Sequence, residues 1–130
     1  MNFQIKISIQ DDIDLTVSLN ESQTSKLIWN SLPIEGAVQV WGKEIYFATT
    51  VYAEPEKCAS DIVEKGAVAY WPPGQALCLF YGPTPANEQG EIRAASVVNL
   101  LGYINESIEI LNRVKPGDKI VIEKTDENLR

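Results

Sequence analysis

The sequence contains no histidine, so the side chains that remain for catalysis are carboxylates, tyrosines, lysines and the two cysteines. Histidine is the usual general base near neutral pH and the commonest transition-metal ligand. Catalysis of the Ser-His-Asp or Cys-His type is therefore excluded within this chain. Any reaction would need one of the remaining groups or a residue supplied by a partner.

The two cysteines, Cys58 and Cys78, are too few for a structural zinc site. The first residues alternate between apolar and polar types, unlike a signal peptide, and no apolar stretch reaches transmembrane length. We therefore predict a cytoplasmic protein in which both cysteines are thiols, with a disulfide between them as the alternative. Cys78 lies in an apolar stretch that offers neither a cation nor a helix N-terminus, which favours inert packing over a reactive thiolate.

The formal net charge of −7 limits the partners that this chain can bind. Phosphate-rich surfaces repel such a chain unless a basic patch overrides the repulsion, and the lysines and arginines here are scattered singly. We predict no nucleic acid and no membrane as partner, and the oligomeric state stays open. Asp11, Asp12 and Asp14 could suggest calcium, but a solvated turn is the simpler interpretation, so we predict no metal and no cofactor.

The N-terminal segment predicts a β-hairpin. Apolar residues alternate with polar ones over residues 3–9 and again over residues 13–19. If Ile9 faces Ile13 across a three-residue loop, every apolar side chain of the pair lies on one face.

The rest of the chain predicts short strands and two short helices. Asn20 and Gln23 have the spacing of a capping box, and the helix that they predict ends at Pro33. Asn105 is predicted to cap the second helix. Further strands are predicted at residues 37–41, 43–47, 67–71, 76–81, 97–104 and 119–123, with an extended stretch at 49–51 and an irregular excursion over 52–66.

The continuous apolar runs at 67–71 and 76–81 are typical of buried central strands. Many short strands with two helices indicate an antiparallel barrel or sandwich, since parallel sheets require a helix at nearly every crossover. The length fits one domain, which we place at residues 1–124, followed by a charged tail at 125–130.

This order of elements resembles the cyclophilin barrel. Residues 74–85 resemble, at equal length, the cyclophilin segment that begins Gly-Ser-Gln-Phe-Phe and ends near Pro-Thr-Pro. Residues 101–104, the helix after them and the turn at 115–118 resemble its later strand, helix and closing turn. Residues 69–78 and 81–85 are most similar to small prokaryotic cyclophilin-like proteins of unassigned function. The resemblance implies a mainly β fold, a closed eight-stranded antiparallel barrel with two short flanking helices.

The catalytic residues of prolyl isomerases do not carry over with this resemblance. Such isomerases place an arginine on the strand that here contains Gln39, a glutamine at the position of Ala76 and a phenylalanine at that of Cys78. Their tryptophan soon after the position of Pro85 is absent here, and their pocket histidine cannot exist in this chain. Stabilisation of a twisted amide, typically by an arginine donor, is thus not provided, and the resemblance leaves enzymatic activity open.

The resemblance does imply a groove that could bind a small molecule or a peptide. Its predicted lining is Gln39, Tyr46, Cys78 and Phe80, with Tyr70, Trp71 and Gln75 near the edge and Arg93 reaching over from a loop. The alternative for the aromatic residues and Cys78 is ordinary core packing, and for Arg93 a solvated charge. Ligand binding is the leading functional prediction; a divergent prolyl isomerase, a subunit of an amide-hydrolysing assembly and a purely structural subunit are the alternatives.

Overall fold

The computed structural model describes residues 3–125, and within that range ten strands form one antiparallel sheet. One α-helix and two 3-10 helices connect the strands. The strands are β1 (Gln4–Ile9), β2 (Ile13–Leu19), β3 (Ile34–Ala37), β4 (Gln39–Trp41), β5 (Glu44–Ala48), β6 (Ser60–Val63), β7 (Ala67–Trp71), β8 (Ala76–Phe80), β9 (Ile92–Ile104) and β10 (Lys119–Lys124). The helices are α1 (Gln23–Ser31) and the 3-10 helices Pro72–Gly74 and Ile108–Arg113.

The predicted N-terminal hairpin is confirmed with its register. Ile9 pairs with Ile13, and the following apolar pairs along β1 and β2 lie on the same buried face. The loop between the strands is made by Gln10 and Asp11 in the left-handed conformation, with φ of 53° and 60°. Polar residues tolerate this conformation better than the β-branched residues beside them, which is why the turn forms here without glycine.

The predicted closed, eight-stranded barrel is wrong in strand number and in closure. The strands of residues 3–125 run in the order β3-β10-β1-β2-β9-β7-β8-β5-β4, with β6 added beside β9, so the hydrogen-bonded path has two ends. Those ends, β3 and β4, are successive in the chain and are separated by Val38. The N–H of Val38 donates to the carbonyl of Asp118, and its carbonyl accepts from the N–H of Gly117. Since the turn before β10 uses these groups, the predicted strand 37–41 is divided and each part pairs with a different neighbour.

Both predicted helices exist in shifted or altered form. Helix α1 is capped by Ser22, whose Oγ accepts from the N–H of Ser25 at 3.1 Å, and Asn20 instead accepts from the N–H of Ser22. The second helix is a 3-10 helix capped by Ser107, and not by Asn105 as predicted. No helix in residues 3–125 combines the length and the apolar character needed to cross a membrane.

Several predicted boundaries change. Strand β6 lies inside the predicted excursion, residues 49–51 form no strand, and β9 begins earlier than predicted. The N–H of Thr125 donates to the carbonyl of Gln4, so β-type pairing reaches into the predicted tail, whose residues 126–130 lie outside the described part.

Two apolar clusters cover opposite faces of the sheet around β7 and β8. Along β8, Leu77 and Leu79 join the larger core, whereas Cys78 and Phe80 join a smaller cluster on the other face. Both faces of β8 are therefore buried, which accounts for its continuous apolar sequence and confirms the predicted central strand. The smaller cluster is completed by residues from β7 and β9, namely Ala67, Ala69, Ala94 and Val98.

Candidate ligand-binding pocket

A pocket of about 280 Å³ opens beside the smaller apolar cluster. Strands β4 and β5 form one wall, the end of β7 a second, and the first half of β9 a third. Three aromatic rings line the pocket together with two alanines of β9. The small alanine side chains leave the space that the rings enclose. Its lining residues are Trp41, Glu44, Tyr46, Trp71, Ala94, Ala95 and Val98.

Glu44 is the ionisable carboxylate of this pocket and is only 6% exposed. In the register of the sheet it lies between Trp41 of β4 and Phe80 of β8, which surrounds it with apolar surface. Burial raises the pKa of Glu44 to about 7, against a smaller lowering by a hydrogen bond with the Cys78 thiol. Within residues 3–125 no lysine or arginine forms an ion pair with this carboxylate. The site can therefore exchange a proton with a ligand near neutral pH.

The Cys78 thiol lies close to the Glu44 carboxylate. Its side chain is 1% exposed, and burial, with the nearby Glu44 charge, raises the pKa of the thiol well above its ordinary value. The thiol therefore stays protonated, and its Sγ is a weak donor that lies 4.0 Å from the Ala76 carbonyl oxygen. Cys58 is exposed, and both cysteines are free thiols.

Trp71 is held in place at the end of β7. Its indole N–H donates to Ser96 Oγ at 2.7 Å, which joins the ring to β9. The 3-10 turn after it brings Gly74 against the ring, where an added Cβ would lie 2.6 Å from Trp71 Cε3. The absence of a side chain at Gly74 thus permits the ring position that forms this wall.

The structure places four of the predicted groove residues on one face. Gln39 pairs with Tyr46, and Tyr46 pairs with Cys78, so these three form one row across β4, β5 and β8. Phe80 lies in the adjoining row beside Glu44. Tyr46 lines the pocket itself, whereas Gln39 is exposed on the end strand and its amide can be hydrated.

Of the four other predicted residues, Trp71 lines the pocket and the remaining three lie elsewhere. Tyr70 is fully buried in the larger core, on the opposite face from Cys78. Gln75 is exposed in the turn after the 3-10 helix, with a φ of 50°. Arg93, next to Ala94 in sequence, forms ion pairs with Asp61 at 2.7 Å and with Glu91 at 3.2 Å.

Tyr70 links the core to the segment after β5, residues 49–59. Its hydroxyl donates to the Val51 carbonyl at 2.7 Å and accepts from the Ala53 N–H at 3.2 Å. Tyr70→Phe leaves both backbone groups unpaired in a buried place, so we expect a loss of about 1–2 kcal/mol of unfolding free energy in urea denaturation. An unchanged midpoint would contradict the role given to the hydroxyl.

Sequence reasoning missed Glu44, Trp41 and the β9 residues of the pocket. The available signal was the position of Glu44, which shares a strand face with Tyr46 and precedes the apolar residue Ile45. Glu44 lies on the predicted strand 43–47, directly after the predicted turn near Gly42, so its position alone does not distinguish a buried carboxylate from an exposed one. Among residues 3–125 no group of three or more cysteine, aspartate or glutamate side chains is placed to hold a metal ion.

Comparison with known proteins identifies the family. A family model described as cyclophilin-like matches residues 3–123. The solution structure of the hypothetical protein AF2241 from Archaeoglobus fulgidus matches with a TM-score of 0.81 and 40% identity, over 95% of each chain. The structure of McbB in complex with tryptophan matches with a TM-score of 0.70 and 18% identity, over 94% of this chain and 45% of that one, which indicates a shared fold. No curated protein matches the chain.

The archaeal neighbour and the family model together confirm the predicted resemblance to small prokaryotic cyclophilin-like proteins of unassigned function. Since the matched range includes nearly all of the described residues, this chain belongs to the cyclophilin-like family.

Proposed function

We propose that the protein binds a small, largely apolar molecule in the pocket of Trp41, Glu44, Tyr46 and Trp71. The observation that carries the proposal is a buried carboxylate facing an apolar cavity. Apolar pockets with few polar groups are typical of small-molecule sites, in which contact area gives affinity and the polar group fixes orientation. The volume of about 280 Å³ suits a ligand about the size of one substituted aromatic ring.

The burial of Glu44 is the stronger part of this support. An ionisable side chain surrounded by Trp41 and Phe80 costs stability whenever it is charged, and a purely structural strand would be more stable with an apolar residue there. Groups with strongly perturbed pKa values concentrate at functional sites for this reason. A structural subunit, the alternative from sequence, has no need of Glu44.

A neighbour of the same fold also supports a small-molecule role. McbB was solved in complex with tryptophan, so a cyclophilin-like fold can be part of a protein that binds a small aromatic compound.

The prolyl isomerase alternative receives less support, because the described residues that line the pocket include no arginine. A protease-coupled isomerisation assay with Xaa-Pro peptides should accordingly give no turnover above background.

Ala95→Trp tests the pocket directly. Ala95 is an exposed pocket residue on β9, so a large ring there fills the cavity without replacing a core side chain. Screening aromatic fragments by backbone NMR should give shifts that gather around Tyr46, Trp71 and Val98 in the unmodified protein. We expect Ala95→Trp to weaken the best fragment at least about tenfold, which corresponds to about 1.4 kcal/mol.

Ala37→Trp is the matched control, since Ala37 is an exposed strand alanine that does not line the pocket. It should leave the affinity unchanged. Equal weakening by both substitutions, or fragment shifts that avoid the pocket, would overturn the proposal.

A further inference from the structure

We propose that the molecule bound in this pocket carries a protonated amine, which forms an ion pair with the Glu44 carboxylate. This inference rests on the proposed function and adds the chemical class of the ligand. It follows from an unpaired acid in the pocket, from the absence of a cation supplied by the described residues, and from the aromatic walls.

The carboxylate has no counter-ion among the residues that the structure describes. The nearby Cys78 thiol is neutral and a weak donor, and its Sγ also contacts the Ala76 carbonyl oxygen at 4.0 Å. A carboxylate that is 6% exposed needs either a proton or a cation, and the pocket is the side from which a cation can come.

The nearest basic residues in sequence are engaged elsewhere. Lys43, beside Glu44 in the chain, hydrogen-bonds to Asn112 Oδ1 and lies 5.7 Å from the centre of the Tyr81 ring. Arg93, beside Ala94, is held by Asp61 and Glu91. A ligand cation would therefore enter without displacing a side chain of the protein.

The pocket walls also favour a cation. Trp41, Tyr46 and Trp71 are half-buried, and within residues 3–125 no lysine or arginine stacks over any of them. By contrast, the tryptophan outside the pocket, Trp29, has Lys124 Nζ at 4.7 Å from its ring centre. Ring faces attract ammonium groups, most strongly where water is excluded. The net charge of −7 further favours the approach of a positive ligand.

The sign of the pH dependence separates an amine from a neutral ligand. An ammonium group binds the ionised form of Glu44, so its affinity should rise as pH increases through the pKa of about 7. A neutral apolar ligand removes more water from the carboxylate, favours the protonated form and should bind no tighter at high pH. The two ligand classes thus predict opposite slopes.

The probes are 2-phenylethylamine and its neutral isostere 2-phenylethanol, titrated by calorimetry at about pH 5 and about pH 8. The amine, like a lysine side chain, is protonated at both pH values. We expect 2-phenylethylamine to bind roughly 10- to 100-fold tighter at the higher pH, because the competent ionised form is then the major one. Binding near pH 6 should release a proton, seen as a dependence of the measured heat on the buffer. Glu44→Gln should abolish both effects, because glutamine has the shape of the protonated side chain but cannot ionise.

The outcomes distinguish this inference from the proposed function. If 2-phenylethanol binds and 2-phenylethylamine shows no gain at the higher pH, the amine assignment is overturned while the pocket remains a ligand site. If neither probe shifts the NMR signals of Trp71 and Val98, both proposals fail.

Discussion

Glu44→Gln should raise the free energy of unfolding at pH 8 by up to about 3 kcal/mol over that of the unmodified chain, and should leave it nearly unchanged at pH 4. Glutamine retains the shape and the polarity of the protonated side chain but cannot ionise. The substitution therefore removes the cost of placing a charge between Trp41 and Phe80.

The sign follows from proton linkage at Glu44. Its pKa is about 7 in the folded protein and 4.5 as an ordinary value, so between these pH values the folded state binds more protons than the unfolded state. The stabilisation associated with this group is fully present below 4.5 and is lost as pH rises through about 7. Above this window the unmodified protein carries the full cost, and the glutamine variant does not.

Urea denaturation of both proteins across this pH range gives the difference curve, and a carbon-13 NMR titration of the Glu44 carboxyl gives the midpoint. Glu64→Gln is the matched control for the loss of one negative charge, because Glu64 is an exposed carboxylate in the loop between β6 and β7 and does not line the pocket. A flat difference curve for Glu44→Gln, or a carboxyl midpoint near 4.5, would contradict the burial argument.

Local patterns predicted the parts of this fold that depend on neighbouring residues. The β1–β2 register followed from alternation alone, since one arrangement places Ile5, Ile7 and Ile9 on the face that Leu15 and Val17 share. The double burial of β8 followed from its unbroken apolar sequence. Local patterns could not predict whether the sheet closes into a barrel. That depends on whether the backbone of Val38 pairs along a strand or with the distant turn at Gly117 and Asp118.

The pocket was less predictable than the fold for a similar reason. The resemblance led to Tyr46, Cys78 and Phe80, which share the face of the pocket, but it also included Tyr70, whose side chain lies on the other face of the sheet. Glu44 lies close to a turn in sequence, and its burial arises only when β4 and β8 pair with β5 and bring Trp41 and Phe80 to either side of it. The sequence shows only that Glu44 shares a strand face with Tyr46, whereas its burial depends on residues distant in the chain.

Asn99→Leu should destabilise the protein by about 2–4 kcal/mol, because it removes three hydrogen bonds and leaves two part-buried backbone groups without this partner. Asn99 interrupts the apolar residues of β9 and is 1% exposed. Its Oδ1 accepts from the N–H of Glu56 at 2.9 Å. Its Nδ2 donates to the Glu54 carbonyl at 2.9 Å and to Thr24 Oγ1 at 3.0 Å.

These bonds make the segment after β5 a fixed part of the structure. Thr24 of α1 also donates its N–H to Glu56 Oε2 at 3.0 Å, so one amide on β9 joins the sheet, the helix and the segment. Leucine shares the branching of asparagine at Cγ, although it is larger, and it lacks the polar atoms. Water cannot readily replace the lost bonds at a site this buried. In Asn99→Leu the segment should detach from α1 and β9. The urea m-value should then fall, because surface that is already exposed in the folded state adds nothing to the surface exposed on unfolding.

Asn105→Leu separates this effect from a general cost of losing asparagine in the same part of the chain. Asn105 follows β9 and donates to Thr16 Oγ1 at 3.0 Å, but it is exposed, so water replaces the lost partner. Its cost should stay within about 0.5 kcal/mol, as is usual for surface positions. Hydrogen exchange adds a local test, because the Glu56 amide should lose its protection in Asn99→Leu alone. Equal destabilisation by the two substitutions, with the Glu56 amide still protected, would mean that Asn99 does not hold the segment.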